Sequence, residues 1–307
     1  METMYLTHPS CKLHEMGSWH PESPERLDAI SDQLLVSGLL PFLIEQQAPA
    51  ATHEELLCVH SADYLDSLRA RSPTEGYTNI DPDTLMNPHT YEAALRAAGA
   101  GIAAVDAVMQ GRAGNAFCAV RPPGHHARPS LAMGFCFLNN IAVAAQHAME
   151  VHGVQRLAIV DFDVHHGNGT EEVFAGDDRV LMCSFFQHPF FPNRGTADPA
   201  ANMVNVPVPA YTGGSAVRTL VQDVWLPRLE AHTPELILIS AGFDAHREDD
   251  MGQMALVEAD YSWITEQIMQ VADRHAQGRI VSMLEGGYNL SALGRSVVAH
   301  IRALTKL

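Results

Sequence analysis

The chain is poor in positive charge: 19 lysines and arginines stand against 36 aspartates and glutamates, a formal charge of −17 over 307 residues, with no basic cluster. Phosphate contacts need cations gathered on one face, so no nucleic-acid partner is expected. Long hydrophobic runs are missing too. The longest, residues 34–44, is broken by Ser37, Gly38 and Pro41 and is too short to span a bilayer. The opening METMYLTHPSCKLHEMGSWHPE has no basic segment followed by an apolar one, so no secretory signal and no membrane partner are expected. Five cysteines (Cys11, Cys58, Cys118, Cys136 and Cys183) form no C-x-x-C pair. That spacing argues against a disulfide framework and a thiolate metal site, and the expectation is a cytoplasmic protein with reduced, mostly buried thiols.

What is present reads as a globular domain. The chain is 47% hydrophobic and 18% charged, and a chain of this length buries roughly 75% of its unfolded surface. Beyond about Ala93, helix-length segments (91–109, 140–152, 214–232 and 257–277) alternate with apolar runs at 115–120, 157–160, 180–184, 236–240 and 280–284. Most of these runs are hydrophobic throughout, as strands covered on both faces must be. The pattern predicts one α/β domain over residues 1–307, a doubly wound, mostly parallel sheet with helices on both faces.

Unusual polar residues follow these runs. RPPGHH follows 115–120, DFDVHHGNGT follows 157–160, AGFDA follows 236–240 and EGGYN follows 280–284. In an open α/β sheet ligands bind beyond the carboxyl ends of the strands, so these segments should converge. An extended backbone puts Asp161, Asp163 and His165 on one side. With Asp244, the pair Asp163 and His165 would offer three oxygen or nitrogen ligands and leave one position open, the pattern of a catalytic zinc site. One such residue alone more often serves a turn or a cap. Two carboxylates and two imidazoles crowded after one apolar strand need a cation or dense hydrogen bonding.

His125 and His126 add an acid/base pair. Asp161 can orient one imidazole and Asn168 the other. An aspartate raises its partner's pKa more than a neutral amide does, so His125 with Asp161 should stay protonated while His126 with Asn168 serves as the base. Tyr288, on the glycine loop Glu285-Gly286-Gly287, can donate a hydrogen bond to a developing oxyanion.

Assembled in this way, the chain resembles the zinc-dependent histone deacetylase superfamily, which includes acetylpolyamine amidohydrolases and acetoin-utilisation proteins. RPPGHH, GFCFLNN, DFDVHHGNGT, SAGFDAH and LEGGYN stand in the family's order, and the match runs from His20-Pro21-Glu22 to Tyr288. Asn168, where class I members carry Asp, makes it look closer to the class II branch. The resemblance implies an arginase/deacetylase-like fold, zinc on Asp163, His165 and Asp244, and a potassium ion held by Asp161, Asp163, His165 and Ser184, mainly through backbone oxygens. It also implies that Tyr288 polarises the amide carbonyl and that His126 deprotonates water and later protonates the amine. Gly134, Phe135 and Phe191 should wall a narrow tunnel, Gly287 should contact substrate, and Asp81, placed by its spacing to Tyr91, should stand at the rim. Met251 falls where substrate choice is tuned and tilts the expectation from polyamines toward acyl-lysine.

Substrates expected on this basis are Nε-acyl-lysine peptides or proteins, or other acylated amines; a homo-oligomer is compatible with the sequence. Two rivals share parts of the pattern. A binuclear manganese hydrolase of the arginase type would need further bridging carboxylates, yet Gly167 stands two positions beyond His165. An acyl-amide-binding pseudoenzyme would be expected to have lost at least one of the ligands, the histidine pair or Tyr288, and all are present.

Overall fold

The computed structural model describes residues 2–307. Among the described residues ten strands form: β1 (Thr3–Thr7), β2 (Leu43–Gln47), β3 (Thr78–Asp81), β4 (Thr84–Met86), β5 (Asn115–Cys118), β6 (Leu157–Asp161), β7 (Val180–Gln187), β8 (Met203–Val208), β9 (Leu236–Ala241) and β10 (Ile280–Leu284). Eight make one sheet in the order β2-β1-β5-β10-β9-β6-β7-β8, and every pairing in it is parallel. β3 and β4 form a separate antiparallel hairpin.

Residues of β5, β6, β7, β9 and β10 are buried along their whole length, which is why these strands read as unbroken apolar runs. Helices cover both faces of the sheet. Four strands that carry the polar motifs stand side by side as β5-β10-β9-β6. At about 4.8 Å per strand their carboxyl ends span only about 14 Å, so residues as far apart in sequence as Gly124 and Glu285, 161 positions, meet at one rim of the sheet.

A buried ionic knot braces this rim from behind. The Glu22 carboxylate accepts from Arg121 Nε at 2.5 Å and Nη2 at 2.6 Å, and from Arg26 Nη1 at 2.9 Å, and all three residues are fully buried. Arg26 then reaches across to the loop after β10, donating to the carbonyls of Glu285 and Gly287 at 2.5 and 2.6 Å. Burial opposes the charge on Glu22, but Arg121, His14 and Arg26 hold its carboxyl well below the usual range. Because its folded pKa is depressed, its stabilisation is complete above the ordinary glutamate pKa of about 4.3 and is lost as acid protonates it. Glu22→Gln is expected to lower unfolding free energy at pH 7 by about 3–5 kcal/mol, since it leaves buried guanidinium charge uncompensated. Chemical denaturation midpoints check this, and an unchanged midpoint would remove the knot from the account.

Candidate active site

The turn after β6 sets the centre. Asp161 ends the strand and its Oδ1 accepts the Asp163 backbone N–H at 3.1 Å; Asp163 Oδ1 accepts the His165 N–H at 2.8 Å. These local bonds stack the carboxylates along one side of the D-x-D-x-H segment. Asp244, just past β9, accepts the Val164 N–H at 2.9 Å through Oδ1 and so is tied to the same turn. His165 Nδ1 lies 3.0 Å from Asp163 Oδ1 and 3.2 Å from Asp244 Oδ2. Asp163, His165 and Asp244 thus form a buried group whose ligand atoms lie within 4.8 Å of one another.

The donor set fits a divalent cation. Asp244 Oδ2 is buried without a hydrogen-bond partner, because the imidazole donates to Asp163 instead. Burial and the neighbouring Asp163 push the Asp244 carboxyl up to about 7. His165 is pushed up to about 10, because Asp163 and Asp244 outweigh the burial that opposes its charge. A cation between these groups would answer the same electrostatic demand. Gly286 is required here: a Cβ at that position would lie 1.9 Å from Asp244 Oδ2 and 2.6 Å from Asp163 Oδ2. Its N–H instead donates to Asp163 Oδ2 at 2.8 Å.

Both histidines that follow β5 are buried, with ring centroids 4.1 Å apart. His125 Nδ1 is 2.9 Å from Asp161 Oδ2, and His126 Nδ1 is 2.8 Å from Asn168 Oδ1, at the start of the helix Asn168–Phe174. Their electrostatics diverge. Burial disfavours the cation in both. At His125, Asp161, Asp163 and Glu285 overcome it and raise the pKa well above the ordinary value. At His126, the positive neighbours His125 and His165 add to burial and lower it well below. Glu285, pushed up to about 7 by burial, accepts the Gly124 and His125 N–H groups at 2.7 and 3.1 Å and so fixes the turn carrying both rings.

One cavity of about 220 Å³ leads to this centre, lined by Asp83, His126, Gly134, Phe135, His165, Phe190, Phe191, Asp250, Met251 and Tyr288. Its walls are mostly apolar and aromatic. Phe191 meets His126 edge-on at 5.1 Å, and Phe135 meets Tyr288 edge-on at 5.9 Å. Gly134 has φ +56°, and a Cβ there would approach His126 Cδ2 to 2.5 Å. Tyr288 is oriented by Asp249, whose Oδ2 accepts the Tyr288 and Asn289 N–H groups at 2.6 and 2.9 Å, and by the Arg26 guanidinium 4.9 Å over its ring. Burial raises the Tyr288 phenol well above its ordinary pKa although Arg26 opposes this, so it stays protonated.

Most of the residues singled out from sequence come together here, with two differences. Asp81 does not line the cavity; Asp83 does, across the β3–β4 turn, where the Asp81 carboxylate accepts its N–H at 3.0 Å. Burial and the Asp81 carboxylate push Asp83 up to about 6. Gly287 is not part of the lining either: its carbonyl is turned to Arg26. Of the four residues expected around potassium, Asp161 and Ser184 are register partners on β6 and β7, next to Asp163 and His165. Sequence reading missed Phe190 and Asp250 in the wall and gave Glu22, Arg26, Arg121 and Asp249 no part. For Arg121 and Glu22 the signal was their place within RPPGHH and HPE.

Sheet and site together define an α/β enzyme with a carboxylate–imidazole centre at the end of a narrow cavity. The histone deacetylase domain family matches residues 20–304. A histone deacetylase-like amidohydrolase of Pseudomonas aeruginosa is 42% identical over 277 residues, covering 88% of this chain and 73% of that protein. A probable deacetylase of Archaeoglobus fulgidus is 36% identical, covering 94% and 82%. A crystal structure of the HDA15 HD domain superposes with a TM-score of 0.94 at 36% identity, over 99% of this chain and 88% of that one. The chain belongs to the histone deacetylase family, and with it to hydrolases that act on acetylated substrates.

Proposed function

We propose that the chain is a single-domain, cytoplasmic, zinc-dependent amidohydrolase that removes acetyl or related acyl groups from Nε-acyl-lysine. The observation that carries this reading is the meeting, around one cavity, of the Asp163–His165–Asp244 group, His126 and Tyr288. Asp163, His165 and Asp244 would hold the zinc, which supplies Lewis acidity toward the amide carbonyl and lowers the pKa of water at its open position to about 7.

His126 performs the proton transfers. Its Nδ1–H is held by Asn168, so Nε2 is left to take a proton from the attacking water and to return one to the departing amine. Tyr288, kept protonated, donates its O–H as negative charge builds on the carbonyl oxygen. His125, held cationic through Asp161, keeps a positive charge beside the carboxylates and favours the neutral form of His126. Phe135, Phe191 and Met251 wall a linear chain and exclude water, and the Asp83 carboxyl at the cavity wall can accept from a substrate N–H. A potassium ion held by Asp161, Asp163, His165 and Ser184 would add a further positive charge close to the carboxylates. Five unpaired thiols suit a reducing compartment.

A turnover screen of the zinc-loaded protein tests the substrate. Acetyl-lysine peptides should be cleaved faster than N-acetylputrescine, and a clear preference for the latter would move the assignment to small acylated amines. The His126 reading has its own check. Asn168→Asp should raise the His126 pKa, so the acid limb of the kcat/KM profile should move to higher pH. A limb that stays in place would assign that ionisation to another group.

A further inference from the structure

A second group of metal-ligating side chains lies outside the catalytic centre. Asp106, near the end of the helix Thr90–Met109, meets His147, within the helix Asn140–Val151, and His152, at that helix's C-cap. Among the described residues, this trio and the catalytic one are the two sets whose ligand atoms all lie within 4.8 Å of one another. His147 Nε2 is 2.8 Å and His152 Nε2 2.7 Å from the same oxygen, Asp106 Oδ1. The rings stand edge to face at 5.6 Å.

We propose that Asp106, His147 and His152 form a second zinc site, a three-ligand clamp between these two helices with an open position toward solvent.

Two imidazoles and a carboxylate are the donor set that suits zinc. Ligand atoms about 2.1 Å from a tetrahedral ion are about 3.3 Å apart, so each contact needs to lengthen by only about 0.5 Å. A neutral ring binds the ion through Nε2 by moving its proton to Nδ1, which has no partner among the described side chains, and no redox change is involved. The side chains are 12%, 15% and 32% exposed for His147, His152 and Asp106, so an ion can reach them directly. Burial opposes the Asp106 charge, yet the two imidazoles hold its carboxyl below the usual range, ready as an anionic ligand. The chain's charge of −17 draws cations toward its surface.

His152 is about 18 Å along its helix from Asn140, at the opposite end from the catalytic loop, so the ion would brace the helix pair without touching substrate. It should bind more weakly than the catalytic ion, because no carboxylate or carbonyl orients either imidazole through Nδ1.

The test uses untagged protein stripped with a chelator and titrated with Zn²⁺, with bound metal counted by mass spectrometry. Wild type should take up two equivalents. His147→Ala and Asp106→Asn should each take up one and keep wild-type turnover, whereas Asp244→Asn should also take up one but lose turnover. In the Asp244→Asn background, Zn²⁺ should still raise the melting temperature, and adding His147→Ala should abolish that rise. Uptake of a single equivalent by wild type, or of two by both His147→Ala and Asp106→Asn, would overturn the second site and leave the catalytic one standing.

Discussion

Tyr288→Phe is expected to lower kcat by on the order of 10²–10³ with little change in KM or zinc content. The ring stays in place because its position depends on Asp249 contacts to the backbone and on Arg26 over the ring face, none of which uses the hydroxyl. Only the O–H of a residue lining the cavity is lost, and its hydrogen bond would strengthen as charge develops on the carbonyl oxygen, so the loss falls on the transition state. Single-turnover and steady-state kinetics on an acetyl-lysine peptide check this. A rise in KM at constant kcat would make Tyr288 a binding group only.

Asp244→Asn should have the larger effect. The substitution keeps the shape, and an amide oxygen can still accept the Val164 N–H, but the anionic Oδ2 now lacking a hydrogen-bond partner disappears. Zinc affinity should fall by more than about 100-fold, the upper end of what losing a mere supporting contact costs. Turnover at limiting zinc should drop to background. Isothermal titration and acetate release read both quantities, and wild-type affinity in the variant would remove Asp244 from the ligand set.

Much of this was legible before the structure because parallel strands buried on both faces leave unbroken apolar runs. β5, β6, β7, β9 and β10 all announced themselves in that way. The hairpin β3–β4 escaped notice, as did three strands of the main sheet, β1, β2 and β8, two of them at its edges. An edge strand is covered on fewer sides, and β2 reads Leu-Ile-Glu-Gln-Gln with none of its residues fully buried. The segment 214–232, expected as one helix, is helical throughout but opens into a π turn over Val221–Trp225. Pro227 explains the widening: it has no N–H for the Asp223 carbonyl, and the wider turn absorbs the mismatch.

The site was legible where chemistry is concentrated in one short segment, as in Asp161–His165. It was illegible where function depends on pairing across the fold. Glu22 meets Arg121 across 99 positions, and although each stands within a motif, HPE and RPPGHH, neither motif shows that the two pair. Asp81 and Asp83 flank Pro82 in a turn, and spacing to Tyr91 cannot tell which carboxylate faces the cavity. In the folded hairpin it is Asp83 that lines the cavity.

The central claim is that a single ion on Asp163, His165 and Asp244 turns this cavity into an amide-cleaving site. It is tested most directly by following acetate release from an acetyl-lysine peptide while chelator-stripped protein is titrated with Zn²⁺. Activity should rise in proportion to added metal and reach its plateau at one equivalent. Full activity in the stripped protein, or activity that appears only with two manganese ions per chain, would contradict it.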